Sequence, residues 1–392
     1  MTNRTRLRAC AAAAITALLV TAGPLSASAE PSARTPAPLY KAAKAVKGRY
    51  IVKLDAGADS AEMVRKLGLK PQYSYKSVMR GFAAPLTAAQ LKSVRGTAGV
   101  ASVEEDAEVT MADLEPRAAA ASWGLDRIDQ RELPLDGQFT VTGTGRGATA
   151  YILDTGIDFP NAEFGGRALY GFDAIRDGRR GQDCQGHGTH VAGTVGGATY
   201  GVAREARLVS VRVLNCEGSG TNSGVIAGLE WVAENAVQPA VLNASLGGGQ
   251  SASVDAAADF LAASGVLPVV AAGNSAADAC DFSPAGANGV YTVGASTPQD
   301  AEADFSNYGQ CLEIYAPGTN IVSAQLGGGS VALSGTSMAS PHVAGAALLY
   351  KASTPAATAD QVASWLTTQG TTDELTGVSP GSPNLLLYTD AL

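Results

Sequence analysis

The sequence predicts an α/β protein built on a doubly wound, mainly parallel sheet flanked by helices, with a small α+β domain ahead of it. Three observations carry this expectation. From Trp123 onward, short apolar runs, glycine-rich turns and helical stretches follow one another repeatedly. The apolar runs are continuous rather than alternating, as expected of strands covered on both faces. Polar or glycine residues then stand where those runs end, at Asp154, at Gly247, Gly248 and Gly249, and at Asn274. In such sheets, ligands bind at the carboxyl ends of strands.

The chain begins with Arg4, Arg6 and Arg8, then "ACAAAAITALLVTAG", then Ala27-Ser28-Ala29. A positive region, a short apolar core and a small-residue cleavage site read as a secretory signal peptide over residues 1–29. The expected location is therefore extracellular. Residues 30–47, rich in Pro, Ala and Lys, read as a linker. In residues 48–111, "RYIVKL", "GFAAPL" and "VASVEEDAEVTM" read as strands, and "SAEMVRKLGL" and "TAAQLKSVRGT" as helices. Residues 112–121, "ADLEPRAAAA", are again linker-like. Charge changes sign at this junction. Residues 1–117 carry 17 Lys and Arg against 10 Asp and Glu; the rest carries 11 against 26. The two parts are thus electrostatic partners, and the acidic second part argues against nucleic acid as a ligand.

In the second part, "GATAYILDTG", "ARLVSVRVLN", "PAVLNASLGGG", "GVLPVVAAGN" and "NGVYTVGAS" read as strands. "NSGVIAGLEWVAENA" and "SASVDAAADFLAASG" read as helices between them. Once Cys10 leaves with the signal, Cys184, Cys216, Cys280 and Cys311 remain. An even count in an exported chain points to two disulfides.

The residues needed for acyl transfer are all present. Asp154 ends an apolar strand, and His187 opens a turn into a helix. Ser337, in "GTSMASPH", precedes an apolar helical run, where free backbone N–H groups favour negative charge. Asn274 follows "VVAAG" and offers an amide to an oxyanion. His190, one turn after His187, and His342 are expected to be structural. A zinc reading of the His187–His190 pair lacks the glutamate of a His-Glu-x-x-His motif. Asp126, Asp129 and Gln130 share one face of a predicted helix, and Asp136 follows a short turn; this oxygen cluster suits Ca²⁺.

"YILDTGI", "GHGTHVAGT", "NASLGGG", "VVAAGN" and "GTSMASPHVAG" occur in this order. In them, residues 123–392 resemble the subtilisin-like serine peptidases, nearest to the proteinase K and aqualysin branch. Residues 48–111 resemble the inhibitory propeptide of that family. The resemblance implies a triad of Asp154, His187 and Ser337, with Asn274 and the Ser337 N–H at the oxyanion. It implies substrate held as a strand by Gly218, Ser219 and Gly220 on one side and by Ser245, Leu246, Gly247 and Gly248 on the other. Ala271, Ala272 and Gly273 would line a roomy, apolar S1 pocket. It pairs Cys184 with Cys216 and Cys280 with Cys311. It also implies a second calcium site at Glu313 with the carbonyls of Asn288 and Val290, where relatives usually have aspartate. The expected organisation is a signal peptide over 1–29, a propeptide over 30–117 and a catalytic domain over 118–392. The expected protein is a monomeric, self-processed endopeptidase that acts on proteins and peptides and preferentially cuts after apolar or aromatic residues. Its propeptide would serve as inhibitor and folding aid, without membrane partners. A catalytically silent binding protein fits less well, because every catalytic position is filled. An esterase fits less well, because two glycine-rich segments suit a peptide strand.

Overall fold

The computed structural model describes residues 35–111, 122–389 and 392. The expected signal peptide and the expected junction at 112–121 lie outside the described residues.

The main sheet has nine strands. In spatial order they are Ala168–Asp173, Arg207–Arg212, Thr149–Asp154, Ala240–Ala244, Leu267–Ala271, Tyr291–Ser296, Ile314–Pro317, Leu385–Leu386 and Thr371–Thr372. Every neighbouring pair is parallel except the last. The central strands are buried along their whole length, which is why they read as continuous apolar runs. Side chains alternate between two cores. Ile152 packs with Val191, Val195, Met338 and Val343 under helices His187–Gly196 and Thr336–Ser353. Leu153 packs with Val211, Val225, Leu229 and Leu261 under helices Asn222–Asn235 and Ala252–Ala263. Strand order reverses between Thr149–Asp154 and Ala240–Ala244. Loops leaving these two strands diverge there, and the crevice between them is where such sheets place their chemistry.

The N-terminal domain is a small antiparallel sheet of Val100–Met111, Ala45–Leu54, Gly81–Pro85 and Tyr73–Tyr75, with helices Ser60–Leu67 and Ala88–Gly96. Its core includes Val52, Met63, Phe82, Val94 and Val103. Thr87 and Gln90 form a reciprocal capping box on the second helix. Gly68, at φ 62°, ends the first helix one residue past Leu67.

Two expectations are corrected here. Residues 36–47 are not a loose linker: Ala37 is buried, Leu39 and Tyr40 pair with Val103 and Glu104, and the first long strand already starts at Ala45. Pairing to a neighbouring strand orders a segment whose composition carries no periodic signal. The strands Tyr73–Tyr75, Ala168–Asp173 and Ile314–Pro317 and the helix Ala359–Gln369 were not anticipated.

The strand Val100–Met111 joins the two domains. Its last residues leave the small sheet and lie antiparallel between Ser219–Thr221 and Leu246–Gly249. Carboxylates anchor it. Glu104 accepts from the hydroxyls of Ser251 and Ser253 and from the Ser253 amide, in the first turn of helix Ala252–Ala263. Asp106 accepts from the Ser223 amide at 3.0 Å and its hydroxyl at 2.6 Å, in the first turn of helix Asn222–Asn235. Both satisfy donors that a helix start leaves open. In return, Glu230 accepts the amides of Lys76, Ser77 and Val78, each at 2.7 Å.

Candidate active site

Asp154 closes its strand at the crevice, fully buried, and the chain turns at Thr155 and Gly156. Helix His187–Gly196 starts directly against this turn. A Cβ on Gly188 would lie 2.2 Å from the Gly156 carbonyl oxygen, so only glycine permits the approach. The result is a buried contact: His187 Nδ1 donates to Asp154 Oδ1 at 2.7 Å, and Thr155 N donates to the same oxygen. Asp183 locks the arrangement. It accepts from Thr155 Oγ1, the Gln185 and Gly186 amides, and the amide and hydroxyl of Thr189. Thr155 Oγ1 in turn accepts from Gly188 N.

Ser337 is the second residue of helix Thr336–Ser353 and is buried. Pro341, four residues on, has no N–H to give the Ser337 carbonyl. The Ser245 hydroxyl donates to that carbonyl instead, at 2.9 Å, and itself accepts from Asn243 Nδ2. Ser337 Oγ donates to the Ser245 carbonyl at 3.1 Å. Asn274 stands beside the same helix start. Its Oδ1 accepts from the amide and hydroxyl of Thr336, both at 2.9 Å. Two donors fix which end of the amide is oxygen, so Nδ2 faces away from Thr336; it is buried with no hydrogen-bond partner among the described residues.

Beside Asn274 lies a groove of about 620 Å³. Gly247, Gly248, Ala271, Ala272, Gly273, Phe282 and Ala285 line it, together with Thr110 and Met111 of the N-terminal domain. Among the described residues, its one lining carboxylate, Glu108, also belongs to that domain. On the far side of the incoming strand, the Gly218 carbonyl accepts from Met111 N, and Ser219 and Gly220 pair with Thr110 and Val109. Leu246 pairs with Met111 and is buried beneath it. Ser245 supports Ser337 from below.

Both disulfides are present, Cys184–Cys216 and Cys280–Cys311. The first ties the turn before His187 to the segment entering Ser219–Thr221. The Arg212 guanidinium reaches Cys184 Sγ, the Thr155 carbonyl, Asp173 and Asp177.

His190 and His342 are fully buried. His190 Nε2 donates toward the carbonyls of Ile321 and Val331, and His342 Nδ1 toward the Met338 carbonyl. Among the described residues, no three His, Cys, Asp or Glu side chains converge as a metal site. Burial, then the neighbouring His187, lowers His190 to about 3, and burial lowers His342 to about 4. In the unfolded chain each takes a proton near its ordinary value of 6.5. Between these limits the unfolded state binds more protons, so this stability is complete above pH 6.5 and is lost as pH falls. Denaturant unfolding of inhibitor-blocked enzyme should show stability falling below pH 6.5 by about 1.4 kcal/mol per unit for each histidine. A His342→Gln variant should show a shallower slope; an unchanged slope would assign it to other groups.

The predicted calcium ligands need one correction. The helix ends at Ile128 and Asp129 is its cap, so Asp129 and Gln130 do not continue the helix face of Asp126. They still gather with Asp136 around one loop. Asp126 accepts the amides of Asp136 and Gly137, Gln130 Oε1 accepts the Asp136 amide, and Asp129 Oδ2 accepts the Thr140 amide. Asp129 Oδ1 is buried with no hydrogen-bond partner among the described residues. Burial, then Asp136 and Asp126, raise the Asp129 carboxyl. In the second set, Glu313 gives an oxygen to the Thr292 amide, and burial pushes its carboxyl up to about 8. That set, with Asn288 and Val290, holds a single carboxylate.

Thr336, Asp183, Asn243 and Asn307 escaped the sequence reading. Thr336 could have been found, since it precedes Ser337 directly. The others are polar residues without periodicity.

Fold and cleft define a doubly wound α/β protein whose groove takes an extended chain as a strand between two of its own. Residues 143–382 match the Subtilase family and residues 49–112 match Peptidase inhibitor I9. The chain is 47% identical over 376 residues to an extracellular serine proteinase of Thermus sp. (strain Rt41A), covering 89% of this chain and 91% of that one. It is 48% identical over 319 residues to alkaline serine exoprotease A of Vibrio alginolyticus, covering 79% of this chain and 59% of that protein. A crystal structure of a cold adapted subtilisin-like serine proteinase matches with a TM-score of 0.67 at 49% identity, covering 68% of this chain and 97% of that chain. The chain belongs to the subtilase family. It is an extracellular serine proteinase preceded by an inhibitor I9 propeptide domain. Among the described residues, no helix is long and apolar enough to cross a membrane.

Proposed function

We propose that the chain is an endopeptidase that uses Asp154, His187 and Ser337 as its triad and frees itself from its own propeptide. The signal peptide would cover residues 1–29, the propeptide 30–117 and the catalytic domain 118–392. The observation that carries this reading is the strand Val100–Met111, held on both sides by the groove and running toward Ser337. A substrate would lie there in the same way, its main chain paired with Gly218, Ser219 and Gly220 and with Leu246 and Gly247.

His187 takes the Ser337 proton as Oγ attacks the carbonyl carbon. Asp154 holds the Nδ1–H and stabilises the imidazolium. The carbonyl oxygen becomes an oxyanion, which Asn274 Nδ2 and the Ser337 N–H receive. His187 then protonates the leaving amine, and water repeats the sequence on the acyl-enzyme. The small residues 271–273 leave room for apolar or aromatic side chains before the cut bond. Casein digestion by the secreted protein, with N-terminal sequencing of the protein and of the peptides, tests the reading. Internal cuts and a start within 113–122 are expected; release of single terminal residues would overturn the endopeptidase assignment.

Asn274→Ala should lower kcat by roughly 10²–10³-fold with KM little changed, because the donor acts mainly in the transition state. An unchanged kcat with a raised KM would place Asn274 in substrate binding instead.

Asp126, Asp129, Gln130 and Asp136 are the residues that would hold Ca²⁺: as they stand they bind loop amides and do not converge as a metal site, and the reading rests on the buried Asp129 oxygen, which has no partner among the described residues. The role of Ca²⁺ would be stability. Chelation should lower the Tm by about 5–10 °C if the site is saturated about a hundredfold above its Kd, and Asp129→Ala should remove that difference. A chelator effect persisting in Asp129→Ala would place the ion elsewhere. Asn288, Val290 and Glu313 fit a cation poorly, since one Glu313 oxygen already serves Thr292.

A further inference from the structure

We propose that Asn307 is a positioning residue that holds the oxyanion donor Asn274 in place; this rests on the role proposed for Asn274. Asn307 is fully buried and lies outside the groove, between strands Tyr291–Ser296 and Ile314–Pro317. Its side chain and its main-chain N–H are directed at the residues on either side of Asn274, while its carbonyl accepts from the Ser306 hydroxyl. Its amide donates to the Gly273 carbonyl at 2.9 Å, and its Nδ2 donates to the Ala272 carbonyl at 2.8 Å. Its Oδ1 accepts from the amides of Ser275 at 2.9 Å and Ala277 at 3.1 Å. The loop is therefore clamped on both sides of Asn274.

The loop needs such a template. It follows strand Leu267–Ala271 without regular structure, with Gly273 at φ 103° and Ala276, a non-glycine, at φ 49°. Both lie in the left-handed region that side chains other than glycine resist. A Cβ on Gly273 would meet Asn307 Nδ2 at 2.5 Å, so the glycine lets the template come close. Thr336 holds the far end of the Asn274 side chain through Oδ1, and its hydroxyl accepts the Gly273 amide on the N-terminal side only. Asn307 fixes the main chain on both sides of Asn274, and the two constraints together aim Nδ2.

The geometry separates kcat from KM. The substrate main chain is held by Ser219–Thr221 and Leu246–Gly249, neither of which Asn307 touches through a hydrogen bond; it meets the groove wall only at the Ala272 and Gly273 carbonyls, which point away from that pairing to Asn307 itself. A shift of Asn274 by a fraction of an ångström leaves the paired ground state intact. The developing oxyanion depends on donor distance much more steeply, and a misplacement of about 1 Å can cost on the order of 10²-fold in rate.

The test is a double-mutant cycle on matured enzyme, with active sites titrated by a serine-directed inhibitor and kcat and KM read on a chromogenic peptide. Asn307→Ala should lower kcat by about 10–10²-fold and leave KM within about twofold. In an Asn274→Ala background the same substitution should change kcat by less than about threefold, because the group it positions is gone. Equal losses in both backgrounds, a change in KM alone, or a lower Tm with kcat intact would overturn the proposal while leaving Asn274 as the donor. If Asn274→Ala by itself keeps full kcat, the oxyanion reading fails, and this proposal fails with it. Should Asn307→Ala not fold, the isosteric Asn307→Asp, which keeps both acceptor bonds and loses the donor to Ala272, enters the same cycle with the same criteria.

Discussion

Ser337→Ala should accumulate as an uncut chain that still carries its I9 domain. The substitution removes one hydrogen bond, from Oγ to the Ser245 carbonyl. Alanine is well tolerated in a helix, and the Ser337 main chain keeps its bond from the Ser245 hydroxyl. The fold and the strand in the groove should therefore survive. The chemistry should not, since loss of a nucleophile of this kind costs on the order of 10⁶ in kcat. Expression in a host lacking other proteases, followed by gel electrophoresis and N-terminal sequencing, reads the outcome. A variant that matures at the normal rate would show that the cut is not made by Ser337.

His187→Ala should be nearly as severe, with a loss on the order of 10⁶ in kcat and a folded product. The ring is held by Asp154, and no other described histidine can take over. His190 Nε2 is committed to the Ile321 and Val331 carbonyls, and His342 packs within its own helix. His190→Ala should instead lower stability, since it opens a cavity under two carbonyls, with kcat reduced far less. Circular dichroism alongside activity separates the two. Stoichiometric zinc in the unaltered protein, lost in either variant, would revive a metal role for the pair.

Much of this was legible in the sequence. Thr149–Asp154 and Tyr291–Ser296 were readable because strands covered on both faces must be apolar throughout. Strand Val100–Met111 was found over its full length. Asp154, His187, Asn274 and Ser337 stood out because each sits at the end or start of a regular element. Strand Ala168–Asp173 was missed because it is an edge strand, with Leu169 and Tyr170 exposed. Asp183, Asn243 and Asn307 were missed for a different reason. Their roles come from hydrogen bonds to residues distant in sequence, and an isolated Asp or Asn in a loop looks the same whether it braces a site or faces water. The calcium loop was half legible: its oxygen-bearing residues were found, but the helix stops at Ile128, sooner than the spacing suggested.

The placement of Glu104 and Asp106 at two helix starts has a kinetic consequence. Strand Val100–Met111 brings together edges from residues 219–221 and 246–249 and caps both helices, so as a folding aid it would lower the entropy cost of the slowest, most non-local contacts. If it is cut and released as proposed, the mature domain would keep the product of that assembly without the part that would have accelerated it. Refolding then has to cross the barrier unaided. The working lifetime of the mature enzyme should accordingly be set by how slowly it unfolds rather than by how favourable folding is at equilibrium. Additions to its surface that are absent from the transition state, such as a cation bound late in the Asp126–Asp136 loop, should lengthen that lifetime out of proportion to their effect on folding.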